Sequence, residues 1–178
     1  MLALSSPSWA EPLGSAKLDK VRDGAAGWQI DRFEAEGFSF ELMRRPGQQP
    51  VHQAQPNGRE QWGFLDVESG SIVSVTRYPN GDPAKLLRDA SSVDNPQAMR
   101  LREKRDDPLT LGGRRVAGKR TTVDVLTPGA EETRVQRTLV IPVKKTVYVV
   151  SVSYRDSESA LGDQLVDTIA RQFRFSGK

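Results

Sequence analysis

The segment from Leu111 to Phe175 constrains the fold more than any other part of the chain. Three β-rich runs follow one another there, ahead of an amphipathic helix pattern: Arg114 to Leu126, Thr133 to Val143 and Thr146 to Tyr154. The gap Thr127-Pro128-Gly129-Ala130 has turn composition, and the short gap Lys144-Lys145 fits a tight hairpin. This order predicts three antiparallel strands, whose apolar face needs a cover.

The cover is predicted to be the C-terminal amphipathic helix, which begins near Ser157 and packs on the sheet. Apolar residues recur there in steps of four, namely Leu161, Leu165, Ile169 and Phe173, with Val166 beside them. Each such side chain stabilises a fold by about 1.5 to 3 kcal/mol when buried, so we predict that removing the helix unfolds the domain. Asp156 and Ser157 are expected to cap its N-terminus.

Strand patterns also occur earlier in the chain. Residues 37–42 alternate apolar and polar side chains, which is typical of a half-buried strand. The runs 62–67 and 71–78 are separated by Glu68-Ser69-Gly70, and they predict a hairpin. Its aromatic residues Trp62 and Phe64 are expected in the core, and exposure on a binding surface is the alternative. Residues 46–60 are rich in Pro, Gly and Gln, so we interpret them as an exposed loop.

Helix signals before the C-terminal segment are fewer. Asp82 followed by Pro83 predicts an N-cap and the first residue of a helix. Residues 15–22 and the strongly charged stretch 96–105 are possible further helices. Together the patterns predict an α+β fold in which a twisted, mostly antiparallel sheet is flanked by helices.

The composition describes one globular domain. A chain of 178 residues with 37% hydrophobic and 28% charged residues can bury a single core. No apolar run approaches the roughly 18 residues that span a bilayer, so no transmembrane segment is predicted. The absence of cysteine excludes disulfides, thiolate metal sites and cysteine nucleophiles.

Residues 1–10 resemble the end of a secretory signal, because a short apolar stretch runs into small residues and a final Ala. The basic start and most of the apolar core of such a signal are missing, so a disordered tail is the alternative. We favour export and an extracytoplasmic location over the cytoplasm. Residues 1–27 are then a signal remnant with a poorly ordered segment, and residues 28–178 are a single domain.

No pattern of catalytic or metal-binding residues is present. The only histidine, His52, lies in the predicted loop and is interpreted as solvated. The carboxylate pairs Glu34 with Glu36, Asp106 with Asp107 and Glu131 with Glu132 lack the spacing of a metal loop, and we interpret them as solvated turns. We therefore predict no catalytic residue, no metal and no cofactor.

The segment Gly112 to Arg120 is the one candidate for a binding site. Between Arg100 and Arg120 there are eight Lys or Arg residues and three acidic residues. Arg114, Arg115, Lys119 and Arg120 are the candidate anion or partner patch. On a regular strand Arg114 and Lys119 lie on opposite faces, so solvated residues on an edge strand are the simpler alternative. The segment lacks aromatic residues that stack bases, so nucleic acid is not favoured as a partner.

The order of elements resembles the PsbP-like superfamily, which includes the photosystem II extrinsic protein and the DcrB-type, LpqN-type and Ran-binding Mog-type proteins. The similar motifs are Gly37-Phe38-Ser39-Phe40, Val73-Ser74-Val75 to Pro79, Leu111-Gly112-Gly113 through Gly118, and Tyr148 to Tyr154 with the final Gln172-Phe173-Arg174-Phe175. The tryptophan that commonly follows the early Pro is replaced by Gly47-Gln48-Gln49.

The resemblance implies an α/β/α sandwich over residues 28–175 and a role without catalysis. We therefore predict an exported accessory or binding protein, located in the periplasm, thylakoid lumen or cell envelope. Its partner is expected to be an unidentified protein or the envelope surface. The alternative is an anion- or polyanion-binding module that uses the basic Gly112-to-Arg120 segment.

Overall fold

The computed structural model describes residues 17–23, 29–35, 38–44, 48–66, 72–92, 98–111, 114–126 and 133–175. The described strands are β1 (Lys17–Asp23), β2 (Gln29–Ala35), β3 (Phe38–Arg44), β4 (Gln48–Ala54), β5 (Glu60–Asp66), β6 (Ile72–Pro79), β7 (Met99–Asp106), β8 (Leu109–Leu111), β9 (Arg114–Val116), β10 (Lys119–Val125), β11 (Arg134–Val143), β12 (Thr146–Arg155) and β13 (Arg174–Phe175). The helices are α1 (Pro83–Ser91) and α2 (Ser159–Gln172), and a 3-10 turn (Asp156–Glu158) precedes α2.

The strands form three sheets in which every described pairing is antiparallel. The large sheet has seven strands in the order β4-β5-β6-β12-β11-β10-β7. A four-stranded sheet has the order β1-β2-β3-β13, and β8 pairs with β9. The predicted mostly antiparallel sheet is therefore confirmed, and the few described helices agree with the predicted α+β class.

The predicted block of three strands lies in the large sheet, except that residues 114–116 of its first run form the separate strand β9, which pairs with β8. β10, β11 and β12 are consecutive neighbours, and Lys144 makes the tight β11–β12 turn with a φ of 55°. In β12 the side chains of Tyr148, Val150, Val152 and Tyr154 are buried at alternate positions, as a pleated strand requires. The β5–β6 hairpin predicted over residues 62–78 is also confirmed.

One face of the large sheet carries the main core. The four β12 side chains at alternate positions pack with Trp62 and Phe64 of β5 and with aromatic residues of the small sheet. Helix α2 contributes Val166, Ile169 and Ala170 to this cluster, and Phe173 follows the helix into it. Leu161 and Leu165 of the predicted apolar stripe lie outside the residues whose side chains are described.

The opposite face carries a smaller cluster under α1. Leu87 of α1 packs with Val140 and Val147, and Leu86, Tyr78 and Val149 are partly buried beside them. The start of α1 matches the prediction, because Asp82 Oδ1 accepts a hydrogen bond of 2.9 Å from Ala84 N and Pro83 is the first helical residue.

Two predicted helices are strands. Residues 99–106 form β7, which pairs with β10 as an edge strand, and not the possible helix over 96–105. Residues 17–23 form β1, which pairs with β2, where a short helix over 15–22 had been possible. In both segments the charged side chains by themselves favour a helix over a strand, and long-range pairing overrides this local preference.

Two local predictions are also wrong. Residues 48–54 of the predicted loop form β4, which pairs with β5 along its whole length. Pro50 is tolerated because β4 is an edge strand, where a missing N–H breaks no ladder. At α2 the N-cap residue is Glu158, and not Asp156 or Ser157.

Among the described residues, no helix has both the length and the apolar character needed to cross a bilayer.

Candidate functional site

The four basic residues selected from the sequence are placed in different environments. Arg115 on β9 is exposed. Lys119 at the start of β10 is exposed as well, and its Nζ lies 2.9 Å from Asp106 Oδ1. Arg120, the next residue along β10, is only 3% exposed. The side chain of Arg114 lies outside the described residues, so the patch of four stays a prediction.

Arg120 is the centre of an internal ion-pair cluster. Its Nε donates a hydrogen bond of 2.6 Å to Asp107 Oδ2, and its Nη2 donates to Asp167 Oδ1 of α2. Burial disfavours the charged guanidinium, but the hydrogen bonds to Asp167 and Asp107 outweigh burial and raise the pKa of Arg120. Arg120 thus links β10 to α2 and to the residue that follows β7. Asp107, expected in a solvated turn, is one of its partners.

Much of the remaining positive charge on β7 and β10 is also paired within the fold. Asp124 of β10 has a fully buried side chain that is approached by two arginines of β7. One of them, Arg102, also donates to Asp156 Oδ1 at 2.9 Å, and this hydrogen bond lowers the pKa of Asp156. The described pairs are Arg100 and Arg102 with Asp124, Arg102 with Asp156, Arg105 with Glu103, and Lys119 with Asp106. These ion pairs neutralise part of the positive charge counted between Arg100 and Arg120, so less of it is available at the surface.

A cavity of about 370 Å³ lies beside the Arg120 cluster. Its lining includes Arg120 together with both of its carboxylate partners, Asp107 and Asp167, and one further arginine, Arg105. Two positive and two negative groups offset one another, so the cavity has no marked preference for a charged ligand. We therefore interpret the Arg120 cluster as a group that stabilises the fold and not as a ligand site.

The partly covered face of the large sheet has a more consistent chemistry. Small side chains form a line across five neighbouring strands, at positions paired in register: Gly63, Ser74, Ser151, Thr138 and Thr121. At the β10 end α1 covers this line, where Thr121 Oγ1 donates to Ala90 O at 3.5 Å. Towards β5 and β6 the line opens into a groove, because short side chains leave space above the sheet.

This groove has a volume of about 250 Å³, and most of the residues that line it have polar side chains. Ser74 and Thr76 form its floor, since each is only 5% exposed. The described lining consists of Arg59, Gln61, Ile72, Ser74, Thr76, Tyr78, Gln136, Val149, Ser151 and Ser153. Hydroxyl and amide groups dominate, and none of these lining residues is acidic. The groove therefore offers many neutral hydrogen-bonding groups and one positive charge.

Gly63 is paired with Ser74 of the groove floor and allows close approach of β5 and β6 at this point. A Cβ on this residue would overlap Val73 O and lie 2.9 Å from Ser74 Cα, so no other residue fits without moving β5 from β6. An apolar hollow of about 180 Å³ adjoins the groove and shares Gln61, Ile72 and Ser74 with it. Leu65 and Ile72, which are 36% and 43% exposed, stand at its rim.

Arg59 is held at the groove by the turn between β4 and β5. Gln55 N donates to Arg59 O at 2.8 Å, and Arg59 N donates to Asn57 Oδ1 at 3.0 Å. Gly58 has a φ of 78°, which favours glycine. The guanidinium carbon lies 4.9 Å from the centre of the Tyr78 ring. Arg59 Nε is buried and has no hydrogen-bond partner among the described residues.

His52 lies on the opposite face of the sheet and is not solvated. Its ring stacks on Trp62 with 5.7 Å between the ring centres, and its Nε2 lies 3.7 Å from Glu60 Oε1. Burial lowers the pKa of His52 and outweighs the opposing attraction of Glu60. The interpretation of His52 as a loop residue is wrong because residues 48–54 form a strand.

No residue of the groove was among the candidate site residues predicted from the sequence. Asn57-Gly58 between two β-rich runs is a strong hairpin signal and could have located the β4–β5 turn with Arg59. Ser151 and Ser153 alternate with valines in β12, which could have indicated a polar face opposite the core. In the part of the chain that is described, no group of three or more His, Asp or Glu residues could hold a metal ion.

Comparisons with known proteins give matches only at the level of structure. No protein-family model and no curated protein matches the chain. Cyanobacterial PsbP (CyanoP) from Synechocystis sp. PCC 6803 has a TM-score of 0.50 at 13% identity, over 97% of this chain and 98% of that chain. LpqN from Mycobacterium tuberculosis, described as involved in cell envelope biogenesis, has a TM-score of 0.46 at 16% identity, over 91% and 92% of the two chains.

A protein of unknown function, PA94 from Pseudomonas aeruginosa, has a TM-score of 0.41 at 12% identity, over 87% of this chain and 96% of that chain. At such identities structural likeness is informative about the fold alone. The match to cyanobacterial PsbP extends over nearly the whole of both chains. It agrees with the resemblance found in the sequence motifs, and the chain has the PsbP-like fold.

Proposed function

We propose that this protein is a non-catalytic accessory or binding protein of an extracytoplasmic compartment. It contacts a protein partner or the envelope surface through the open face of its large sheet. The observation that carries the proposal is the groove of about 250 Å³ on that face, together with the adjoining apolar hollow. A polar groove beside exposed Leu65 and Ile72 has the mixed character of a recognition surface.

The proposal takes the architecture to be the α/β/α sandwich predicted from the sequence. Helix α2 then covers one face of the large sheet, and the shorter α1 covers the β10–β11 end of the other. The part left open is the region over β5, β6 and β12. A binding surface there needs no rearrangement of the core, because its floor is made by side chains that point away from the core.

The chemistry of the groove supports binding more than catalysis. General acid-base catalysis needs a histidine, carboxylate or similar group within hydrogen-bond reach of the reacting atoms. The described lining contains neither His, Asp nor Glu. Serine hydroxyls without a neighbouring base are weak nucleophiles, so we assign Ser74 and Ser151 to hydrogen bonding.

Export is supported by the apolar-to-small pattern of residues 1–10. The test is fractionation of cells that produce the full-length protein with a C-terminal tag. The proposal expects the protein outside the cytoplasm. A strictly cytoplasmic location would contradict export, whereas the proposed binding surface is tested by the next experiment.

Photo-cross-linking in the native cell tests the binding surface. A photoreactive amino acid replaces Ile72 at the rim of the groove, and the control replaces Lys145, which is exposed in the β11–β12 turn. The proposal expects a discrete cross-linked product from position 72 and none from position 145. Equal labelling from both positions, or labelling from 145 alone, would contradict it.

The alternative is an anion- or polyanion-binding module on the basic segment. The exposed Arg115 favours it, since no ion pair is described for this residue. Binding of heparin through Arg115 and Lys119 should weaken steeply with salt and fall in the Arg115→Gln variant. If heparin binding is absent, or is unaffected by salt and by this substitution, the alternative is excluded.

A further inference from the structure

The groove on the open sheet face carries one positive charge that the fold leaves uncompensated. Among its described lining residues Arg59 is the only cation, and no lining residue is acidic. Arg59 Nε is buried without a hydrogen-bond partner among the described residues. A buried donor that lacks a partner costs free energy, so no hydrogen bond of Nε within the described fold explains the position of Arg59.

The position of Arg59 suits an anionic ligand rather than a structural ion pair. Its guanidinium carbon lies 4.9 Å from the centre of the Tyr78 ring, and this contact restricts the orientation of the guanidinium plane. A planar guanidinium binds a carboxylate through two parallel hydrogen bonds. Arg134 Nη2 donates a hydrogen bond of 3.4 Å to Ser153 Oγ, which is one of the lining hydroxyls.

The rest of the lining suits a ligand that carries hydroxyl groups. Gln61 and Gln136 present amides, which both donate and accept hydrogen bonds, and the serine and threonine hydroxyls can do the same. Thr138 Oγ1 and Ser151 Oγ lie 3.3 Å apart, so neighbouring hydroxyls already form a network across β11 and β12. At about 250 Å³ the groove is smaller than pockets for drug-sized ligands, which are about 300 to 1,000 Å³, and it matches a group the size of one sugar ring.

We infer that the open-face groove binds an acidic sugar, with its carboxylate on Arg59 and its ring hydroxyls on the row of serine, threonine and glutamine side chains. This inference rests on the proposed function, because it names the chemistry recognised by the same face. The acidic sugar is either free or the exposed unit of an envelope polysaccharide. The first experiment below uses a free sugar, and a second arm uses an acidic polysaccharide to distinguish the two sources.

The test is a two-dimensional NMR titration of the full-length protein with D-glucuronate. Its neutral analogue D-glucuronamide keeps the ring and hydroxyls, and acetate keeps the carboxylate alone. The inference expects glucuronate to bind about ten-fold more tightly than either control, because both the charge and the hydroxyls contribute. The amide signals that shift should include Ser74 and Ser151. Equal affinity for glucuronate and one of the controls, or shifts confined to other surfaces, would overturn the inference.

Two variants and one control connect binding to the groove. Arg59→Gln removes the charge and is expected to lower glucuronate affinity about ten-fold. Ser151→Leu fills the groove without altering Arg59, and it should lower affinity for glucuronate and glucuronamide alike. Arg115→Gln makes the same chemical change on β9, away from the groove, and should leave affinity unchanged. Circular dichroism checks that each variant is folded, and unchanged affinity in folded Arg59→Gln would refute the inference.

The second arm replaces the free sugar with polygalacturonate. Tighter binding of the polymer than of the monomer, still dependent on Arg59, indicates a polysaccharide source, whereas equal affinity per sugar indicates the free acid. If no acidic sugar binds while cross-linking from position 72 persists, the inference fails and the proposed function stands. If neither is observed, both fail.

Discussion

Replacing Arg120 by leucine tests whether this residue stabilises the interior or forms part of a surface patch. The guanidinium is 3% exposed and hydrogen-bonds to Asp107 and Asp167. Removal of one partner from a buried ion pair costs about 3 to 5 kcal/mol, because the other charge is left without compensation. Here the carboxylates are reached by water, since the side chains of Asp107 and Asp167 are 21% and 44% exposed.

We therefore expect Arg120→Leu to lower the free energy of unfolding by about 2 to 3 kcal/mol, slightly below that range. For a domain of this size each kcal/mol corresponds to about 2 to 4 °C in Tm, so Tm should fall by about 4 to 12 °C. Urea denaturation followed by circular dichroism measures the first quantity and a thermal scan the second.

The matched control is Lys119→Gln, one position earlier on β10. Its ion pair with Asp106 is solvated, with side chains 51% and 79% exposed, so the change should stay within about 0.5 kcal/mol. Adding Asp167→Asn to Arg120→Leu should recover part of the loss, because it removes one uncompensated charge. If Arg120→Leu and Lys119→Gln lower the free energy of unfolding by equal, small amounts, Arg120 does not stabilise the interior and its assignment to the surface patch is favoured.

Three further predictions concern the packing of the sheet and its histidine. Gly162→Ala should lower Tm although alanine favours a helix by about 1 kcal/mol, because the new Cβ overlaps the buried Tyr154 ring; a higher Tm would show that α2 does not pack there. Gly63→Ala should lower Tm and disturb the pairing of β5 with β6 beside Ser74, since its Cβ would overlap Val73 O; a well-folded variant with unchanged NMR shifts around Ser74 would contradict this. The pKa of His52 in the folded state lies below its ordinary value of 6.5. The unfolded state therefore binds more protons near this pH, and the free energy of unfolding should fall as the pH drops from about 7 through 6.5. In His52→Gln that part of the pH dependence should vanish, and urea denaturation between pH 7.5 and about 5.5 decides the matter.

The elements fixed by local pattern were predictable from the sequence. Three β-rich runs and their turns gave β10, β11 and β12, because alternation and turn composition are local properties. The α1 start was predictable from Asp82-Pro83 for the same reason. The short motifs shared with the PsbP-like superfamily were sufficient to indicate the fold without knowledge of the strand order.

The elements fixed by long-range pairing were not predictable. β7 is a strand because β10 provides its partner, and its Arg, Lys and Glu residues have no strand preference of their own. Arg120 is buried because Asp167, 47 residues later, reaches it from α2. A count of charges along the chain cannot reveal such neutralisation.

The candidate groove could not be predicted from the sequence for the same reason. Its floor depends on the register that places Gly63, Ser74 and Ser151 side by side on β5, β6 and β12. Each residue alone is an ordinary polar or small position on a strand. Only the order of strands in the large sheet brings them together, and that order is not sequential along the chain.

Hydroxyl-radical footprinting of the purified protein, alone and with isolated cell envelope, tests most directly whether the open face is the binding surface. Leu65 and Leu101 are matched probes, because the same side chain is 36% exposed at the groove and 40% exposed on β7. If the open face binds the envelope, added envelope lowers oxidation of Leu65 and Ile72 and leaves oxidation of Leu101 unchanged. Protection of Leu101 with Leu65 unchanged would place the contact near the charged β7 edge and exclude the open face as the binding surface.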